Sequence, residues 1–465
     1  MDDNRWTRWV NENAPVKVKY VPISTNQALE IYNTLFAAGM APDLIVDYNT
    51  GERYENGVIQ PLDEYIEKYS TSYKKYINNE HPDLKPYVTK SDGKMYAFTT
   101  IRPNYDLVYK ALIIRQDWLD KFGMKMPETI DEMLTFMRRA RDEDPDGNGV
   151  KDTLGVSIRR GYNDIFMDMF GNPKYGFGVE NGHFVDWAST QGYRDYLAFM
   201  ALLYREELMD REFFTATNNS RSTQQMVTGK SAIHAGYFNG LNETYHELRT
   251  NVPSARWNTM DPPRLPNGQK HSINWDLPPT LYTSTMSTTA KNPQAVVQYI
   301  DWMLDTGWFT LTYGLEGIHY KLVDGLPQAI DADLNGVQLS YVQDYNCVTR
   351  RQDDPDNFLK TFPKDPISQE YAQLEADFYR RRLSTDKNRV FIPNNDPISD
   401  FEREFRTTIN ESIVSLETNI MMNIIPVDEG IRQINQIKKN AGYDRTVAER
   451  DAWYQQNKAN FTSIK

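Results

Sequence analysis

The densest chemistry in the sequence lies at 144–155. Oxygen-bearing side chains stand at every second position, Asp144, Asp146 and Asn148, and Asp152 falls at the ninth place of the same run. Gly149, at the sixth place, permits a sharp turn, and a backbone carbonyl is due at Val150. This set suits a hard cation, and calcium is the ion expected. In the full EF-hand pattern the twelfth place holds a bidentate Glu; here it is Gly155, so another residue or water must complete the shell. Asp142 offers an alternative first ligand, and a solvated Asp/Asn/Gly turn uses the same residue types.

The loop hangs between elements the sequence marks clearly. Before it, the Thr129 hydroxyl can cap the first free amides of a helix while Glu132 reaches back, and Ile130, Met133, Leu134 and Met137 share one face. Residues 117–122 form a shorter amphipathic turn closed by Gly123, and Pro127 stops it from growing. Further back, the turn 91–93 leads into alternation over 95–98, and an apolar run follows over 107–114, predicting two strands. After the loop, 155–158 reads as another.

The first residues, 4–13, predict a helix carrying Trp6 and Trp9, followed by an alternating strand at 16–21, a helix ending at Gly39 and an apolar strand at 42–48. Strand, helix and strand at this spacing predict a parallel α/β unit. Ligands of such sheets lie at the carboxyl ends of strands, which makes Asp47 and Tyr48 candidates; a helix-capping Asp beside a packed Tyr reads equally well. Arg102, at a bend between two strands, offers a planar donor fork for vicinal hydroxyls or a carboxylate, or a surface ion pair. A strand at 231–238 ends in Gly236 and Tyr237, where small residues let a ligand approach the backbone. Residues 262–279 are proline-rich and carry Trp275 in an irregular excursion. Asn292 is placed to cap a helix opened by Pro293. Beyond it, 313–320 sets two glycines around Glu316 between Tyr313 and Tyr320, a pattern that fits a loop facing a cleft. His319 reads as a satisfied loop histidine and receives no role. From 370 onward the chain is largely helical.

A chain of 465 residues exceeds one ordinary core, so two large domains are expected, and with no low-complexity linker they should be joined by several crossings. Asp and Glu number 64 against 52 Lys and Arg, which excludes the basic surface a nucleic-acid partner demands. With 29 Tyr and 9 Trp in a chain of mean hydropathy −0.66, some rings must meet solvent or a ligand; flat sugar faces suit them. A single cysteine, Cys347, permits no intrachain disulfide. No apolar run approaches a membrane span, and the first residues lack the basic and apolar regions of a secretory signal.

Taken together, Gly93-Lys94-Met95-Tyr96-Ala97, the run from Ala111 to Lys121, the loop from Asp144 to Asp152 and the stretch from Tyr313 to Tyr320 resemble the extracellular solute-binding proteins of ABC importers. The resemblance covers nearly the whole chain and points to the carbohydrate cluster that includes alginate-oligosaccharide binders and LipO-like lipoproteins of Gram-positive bacteria. It implies a two-lobed periplasmic-binding-protein-like α/β fold with hinge strands and a helix-rich C-terminal part. The domains expected are a first part of the N-lobe at 1–110, lacking its first strand, a C-lobe mostly at 111–290, a return toward the N-lobe at 291–345, and helical segments shared between lobes at 346–465. It also implies a structural calcium held by Asp144, Asp146, Asn148 and Asp152. Thr153 departs from the alginate-binder loop, which has an acidic residue there. A lipidated cysteine and a signal normally precede the first helix in this family, so the expected location is extracellular, on the cell membrane of a Gram-positive bacterium.

The resemblance implies capture of an oligosaccharide by domain closure and delivery to permease subunits, by a monomer without enzymatic activity. Asp47, Tyr48, Arg102, Tyr237, Trp275, Tyr313 and Glu316 are the expected cleft residues, and core packing is the ordinary alternative for each ring. A glycoside hydrolase is the rival class. Such chemistry needs two carboxylates about 5–10 Å apart across the scissile bond, and no motif in the sequence pairs two of them.

Overall fold

The computed structural model describes residues 4–23, 28–47, 51–103, 108–159, 161–171, 177–216, 218–273, 278–351, 354–385 and 400–460. Its strands in chain order are β1 (Leu44–Asp47), β2 (Lys110–Arg115), β3 (Leu154–Ile158), β4 (Phe177–Glu180), β5 (His183–Asp186), β6 (Ser231–Tyr237), β7 (Trp257–Met260), β8 (Thr283–Met286), β9 (Tyr320–Val323) and β10 (Leu326–Ala329).

The first lobe is built on Trp6, Val10, Ile66, Tyr73, Phe98, Met286, Ile300 and Val348. Helix Arg5–Asn13 starts at a capping box in which the Asn4 side-chain oxygen accepts from the backbone N–H groups of Trp6 and Thr7, and the Thr7 hydroxyl accepts in return from the Asn4 backbone N–H. Trp6 and Val10 lie four residues apart and are both buried, so one face of this helix enters the core. The parallel unit expected here does not form. Residues 16–21 stay outside any ladder because the Asn11 side chain occupies the backbone of Val18, donating to its carbonyl at 2.9 Å and accepting its N–H at 2.7 Å. β1 instead pairs antiparallel with β8, Leu44 opposite Met286. Residues 95–98 likewise make only single bridges, such as Phe98 with Ser284.

The second lobe centres on a sheet of order β3-β6-β2-β7, with β3 and β6 parallel and the other pairs antiparallel. β2 is buried along its whole length. Leu112 and Ile114 face the helix Ile130–Asp142 core with Val156, Tyr196 and Met200, whereas Ala111 and Ile113 face Tyr245, Trp257, Tyr371 and Tyr379. That division is the period-two alternation of a strand covered on both sides. The anticipated caps are in place: Thr129 with Glu132, a left-handed Gly123 at φ 62°, and Asn292 ahead of Pro293. Beyond Phe358, helix Pro366–Thr385 joins one face of this sheet's packing, and helices Asp400–Met421 and Val427–Asn440 join the other. Among the described residues no helix is long and apolar enough to cross a membrane.

The chain passes between the two cores three times: from Ile101 to Val108, from Ile273 to Met286, and from Val348 to Phe358. On the first-lobe side these crossings are laced together. Ile101 bridges Thr280, the Arg102 amide donates to the Pro279 carbonyl at 2.6 Å, Thr349 N–H donates to the Thr100 hydroxyl at 3.4 Å, and Ser284 donates to the Cys347 carbonyl at 2.5 Å. Several short strands bonded side by side can bend together while each lobe stays rigid.

Candidate ligand cleft and cation loop

β2 begins directly after the first crossing, so the sheet edge holding Lys110 faces the first lobe. Lys110 is paired in register with Tyr237, the last residue of β6, and β3 ends beside it at Ile158. The carboxyl ends of the parallel pair β3 and β6 therefore lie together at this edge, where the rule for open sheets looks for a ligand. Here Tyr237 lies 5.7 Å from Tyr162, which in turn lies 6.5 Å from Tyr109, each pair edge to face. All three rings are half-buried. The Arg159 guanidinium sits over Tyr237, 4.1 Å from the ring centre, close enough for an appreciable cation–π attraction. Beneath this group, Lys110 is 2% exposed and reaches Asp164 at 2.7 Å and Asp168 at 3.5 Å, a buried charge held by two carboxylates.

The other expected cleft residues have surroundings of their own. Asp47, at the end of β1 in the first lobe, accepts from Arg53 at 2.7 Å, and Arg53 also lies over the Tyr32 ring. Arg102 is buried in the hinge, its Nε donating to the Pro278 carbonyl at 3.1 Å. Tyr313 packs 4.9 Å from Phe309 at the end of helix Trp308–Tyr313, and Glu316 stands exposed on the following loop. That loop turns on Gly314 and Gly317, both at positive φ. Tyr48 and Trp275 lie outside the described residues. His319 is fully buried: Nδ1 accepts the Leu315 N–H, so Nε2 carries the hydrogen and donates to Gln338, a neutral ring serving structure. Sequence reasoning missed Tyr109, Arg159 and Tyr162. The strand-end rule that singled out Asp47 would have found Arg159, one residue past a strand, had β3 been recognised as parallel to β6.

The cation loop keeps the expected turn but spends its acids differently. Asp144 accepts the N–H groups of Gly147, Asn148 and Gly149, and the Asn148 side-chain oxygen accepts that of Val150. Asn148 Nδ2 donates to Asp146 and Asp152 at 3.2 Å each. Lys230, just ahead of β6, places its Nζ 2.6 Å from Asp146 and 2.8 Å from Asp152. Burial opposes the Lys230 charge, yet these two bonds raise its pKa, and the same ammonium holds the Asp152 carboxyl below the usual range. Among the described residues no three His, Cys, Asp or Glu converge as a metal-binding group. The second oxygen of Asp146, Oδ1, is buried without a hydrogen-bond partner, which leaves one acceptor unspent for a cation. Gly155 cannot be replaced by the missing acidic ligand: a Cβ there would lie 2.7 Å from the Met137 Cβ and 3.1 Å from the Leu208 carbonyl.

Residues 6–308 match the family model of bacterial extracellular solute-binding proteins. The chain belongs to that family. Lipoprotein LipO of Bacillus subtilis (strain 168) is 25% identical over 470 residues, covering 95% of this chain and 87% of LipO. Among solved structures, alginate-binding protein AlgQ2 without calcium ion superposes with a TM-score of 0.74 at 19% identity, over 97% of this chain and 94% of AlgQ2. An EF-hand mutant of the S. pneumoniae ABC-transporter substrate-binding protein FusA, in complex with fructo-nystose, gives 0.73 at 18% identity, over 98% and 96%. The fold of this solute-binding protein is accordingly two-lobed, and the hinge described above joins the lobes.

Proposed function

We propose that this solute-binding protein is the extracellular, substrate-binding component of an ABC importer, that it captures an oligosaccharide between its lobes, and that it delivers the sugar unaltered to the permease subunits. The observation that carries this reading is the cluster of Tyr109, Tyr162 and Tyr237 beneath Arg159 at the sheet edge that faces the hinge. Rings present flat apolar faces to sugar rings, and polar groups around them fix orientation. Asp47, Tyr48, Arg102, Trp275, Tyr313 and Glu316 complete the proposed walls, with the first-lobe residues closing over a ligand already seated on the second. A ligand touching both lobes favours the closed arrangement by the contacts the open one lacks. The protein works as a monomer, without catalysis and without nucleic acid, attached through a lipidated N-terminal segment to a Gram-positive membrane.

Tryptophan fluorescence titrated with a panel of oligosaccharides, with chromatography of the same mixtures, tests this reading. A saturable change with sugar recovered intact is the expected result. Release of shorter sugars would establish a hydrolase instead, and a flat response to every sugar would remove the carbohydrate assignment.

Calcium is the proposed occupant of the acidic loop, through Asp144, Asp146, Asn148, Asp152 and the Val150 carbonyl, and it would supply rigidity between helix Ile130–Asp142 and β3. Lys230 reaches both oxygens of Asp152 and one of Asp146, so an ion drawing on the same two carboxylates competes with it. In Lys230→Met, the loop without calcium should lose about 1–2 kcal/mol, discounted because Asp152 is 42% exposed. Saturating calcium should then restore more than it gives the wild type, on the order of 2.7 kcal/mol at 100 times Kd. Thermal unfolding of both proteins with calcium, magnesium and chelator measures this. Equal calcium stabilisation of the two would show that Lys230 does not compete.

A further inference from the structure

Where many of the described arginines are spent on carboxylates, Arg159 is not. Arg53 pairs with Asp47, Arg115 with Asp117, Arg138 with Glu206, Arg249 with Glu370 and Arg381 with Asp261. Among the described residues no Asp or Glu forms an ion pair with Arg159. Its backbone N–H is fixed to the Ala235 carbonyl at 3.0 Å, which anchors it at the end of the parallel ladder. Its guanidinium is stacked on Tyr237 and lies 5.6 Å from the Tyr162 ring centre. Its Nε is out of contact with solvent and has no hydrogen-bond acceptor. A buried donor without an acceptor is unfavourable, and in a chain where acids outnumber bases 64 to 52 an acceptor would be easy to provide.

The surroundings decide which acceptor is missing. Asp164 and Asp168 both bond Lys110, and the second Asp164 oxygen, buried without a partner, does not pair with Arg159. His234, buried beside Arg159, is driven to about 3 by burial first and by the Arg159 charge second, so it stays neutral and takes none of the anion. The ring of Tyr237 covers one face of the guanidinium, so an acceptor must meet it along its N–H edge. A planar fork of donors matches a carboxylate two bonds at a time, and charge-assisted bonds are about twice as strong as those to a hydroxyl.

We infer that the oligosaccharide this protein takes is acidic, and that a uronic-acid carboxylate of the ligand binds the Arg159 edge while its sugar rings lie on Tyr109, Tyr162 and Tyr237. This rests on the oligosaccharide reading above and narrows it to a substrate class. A neutral sugar would satisfy the donor weakly; a uronate satisfies it with opposite charge.

The test pairs each probe with its own neutral counterpart. Oligomers of galacturonate, glucuronate and mannuronate are titrated calorimetrically beside the same oligomers after carboxyl reduction, which changes each carboxylate to a hydroxymethyl and leaves ring stereochemistry alone. At least one acidic oligomer should bind roughly 10- to 100-fold more tightly than its reduced form. That preference should shrink as salt rises, partly survive in Arg159→Lys and collapse toward one in Arg159→Gln. If Arg159→Gln does not fold, the wild-type ratio and its salt dependence still decide. Equal binding of acidic and reduced oligomers, or tight binding of neutral oligosaccharides only, overturns the inference and leaves the oligosaccharide reading standing. Binding of no sugar at all overturns both.

Discussion

Gly314→Ala should be among the most damaging single substitutions in this protein, lowering the unfolding temperature of the first lobe by roughly 6–12 °C. Two independent penalties meet at this position. Its backbone, at φ 81° and ψ −150°, lies in a region that only glycine occupies readily, costing about 1–3 kcal/mol for any other residue. An added Cβ would also stand 2.6 Å from the His319 ring. His319 cannot step aside, because it is fully buried and tied to Leu315 and Gln338, so overpacking adds about another 1–3 kcal/mol. The comparison that isolates the second effect is Gly317→Ala, where φ is 76° but no atom lies within 4 Å of the new Cβ. Calorimetric scans should show a much smaller loss there. Equal losses in the two variants would mean that the His319 contact contributes nothing.

Lys110→Met should be comparably severe for the second lobe, about 3–5 kcal/mol. The argument concerns the charges left behind more than the contact removed. Asp168, 1% exposed, and Asp164, 14% exposed, both bond this ammonium, and without it each loses its nearest positive charge in a buried setting. Methionine fills much of the lysine's volume, so packing is largely kept. The double variant Lys110→Met, Asp168→Asn should recover part of the loss, because one of the two buried carboxylates is then neutral. Urea unfolding of the single and double variants checks this; a double variant less stable than the single would show that the cluster is not held by charge balance.

Much of the local structure could be read from the chain. The Thr129 and Glu132 pair, Gly123, and Asn292 with Pro293 specify helix ends through neighbouring residues only, and the structure places them as the sequence predicts. The apolar run of β2 and the small-residue ending of β6 were equally plain. What failed was alternation taken as proof of pairing. Residues 16–21 alternate as a strand would, yet the side chain of Asn11 takes the backbone groups of Val18 and no ladder forms. β1 finds its partner in β8, more than 230 residues away, so the parallel unit expected from neighbouring elements had no local signal against it.

The sites divide along the same line. The acidic loop was legible because its spacing is local. Lys230, which sits on two of its acids, was not, since it lies 84 residues from Asp146 in sequence. Arg159, Tyr109 and Tyr162 come together only once β3 lies parallel to β6, a fact of the sheet that composition does not carry.

The central claim is that two lobes close on an oligosaccharide that leaves unchanged. Small-angle scattering of the protein alone and with a saturating, chromatographically intact oligosaccharide measures it most directly. The account predicts a smaller radius of gyration with ligand and full recovery of the sugar. Superimposable curves at demonstrated saturation would contradict closure.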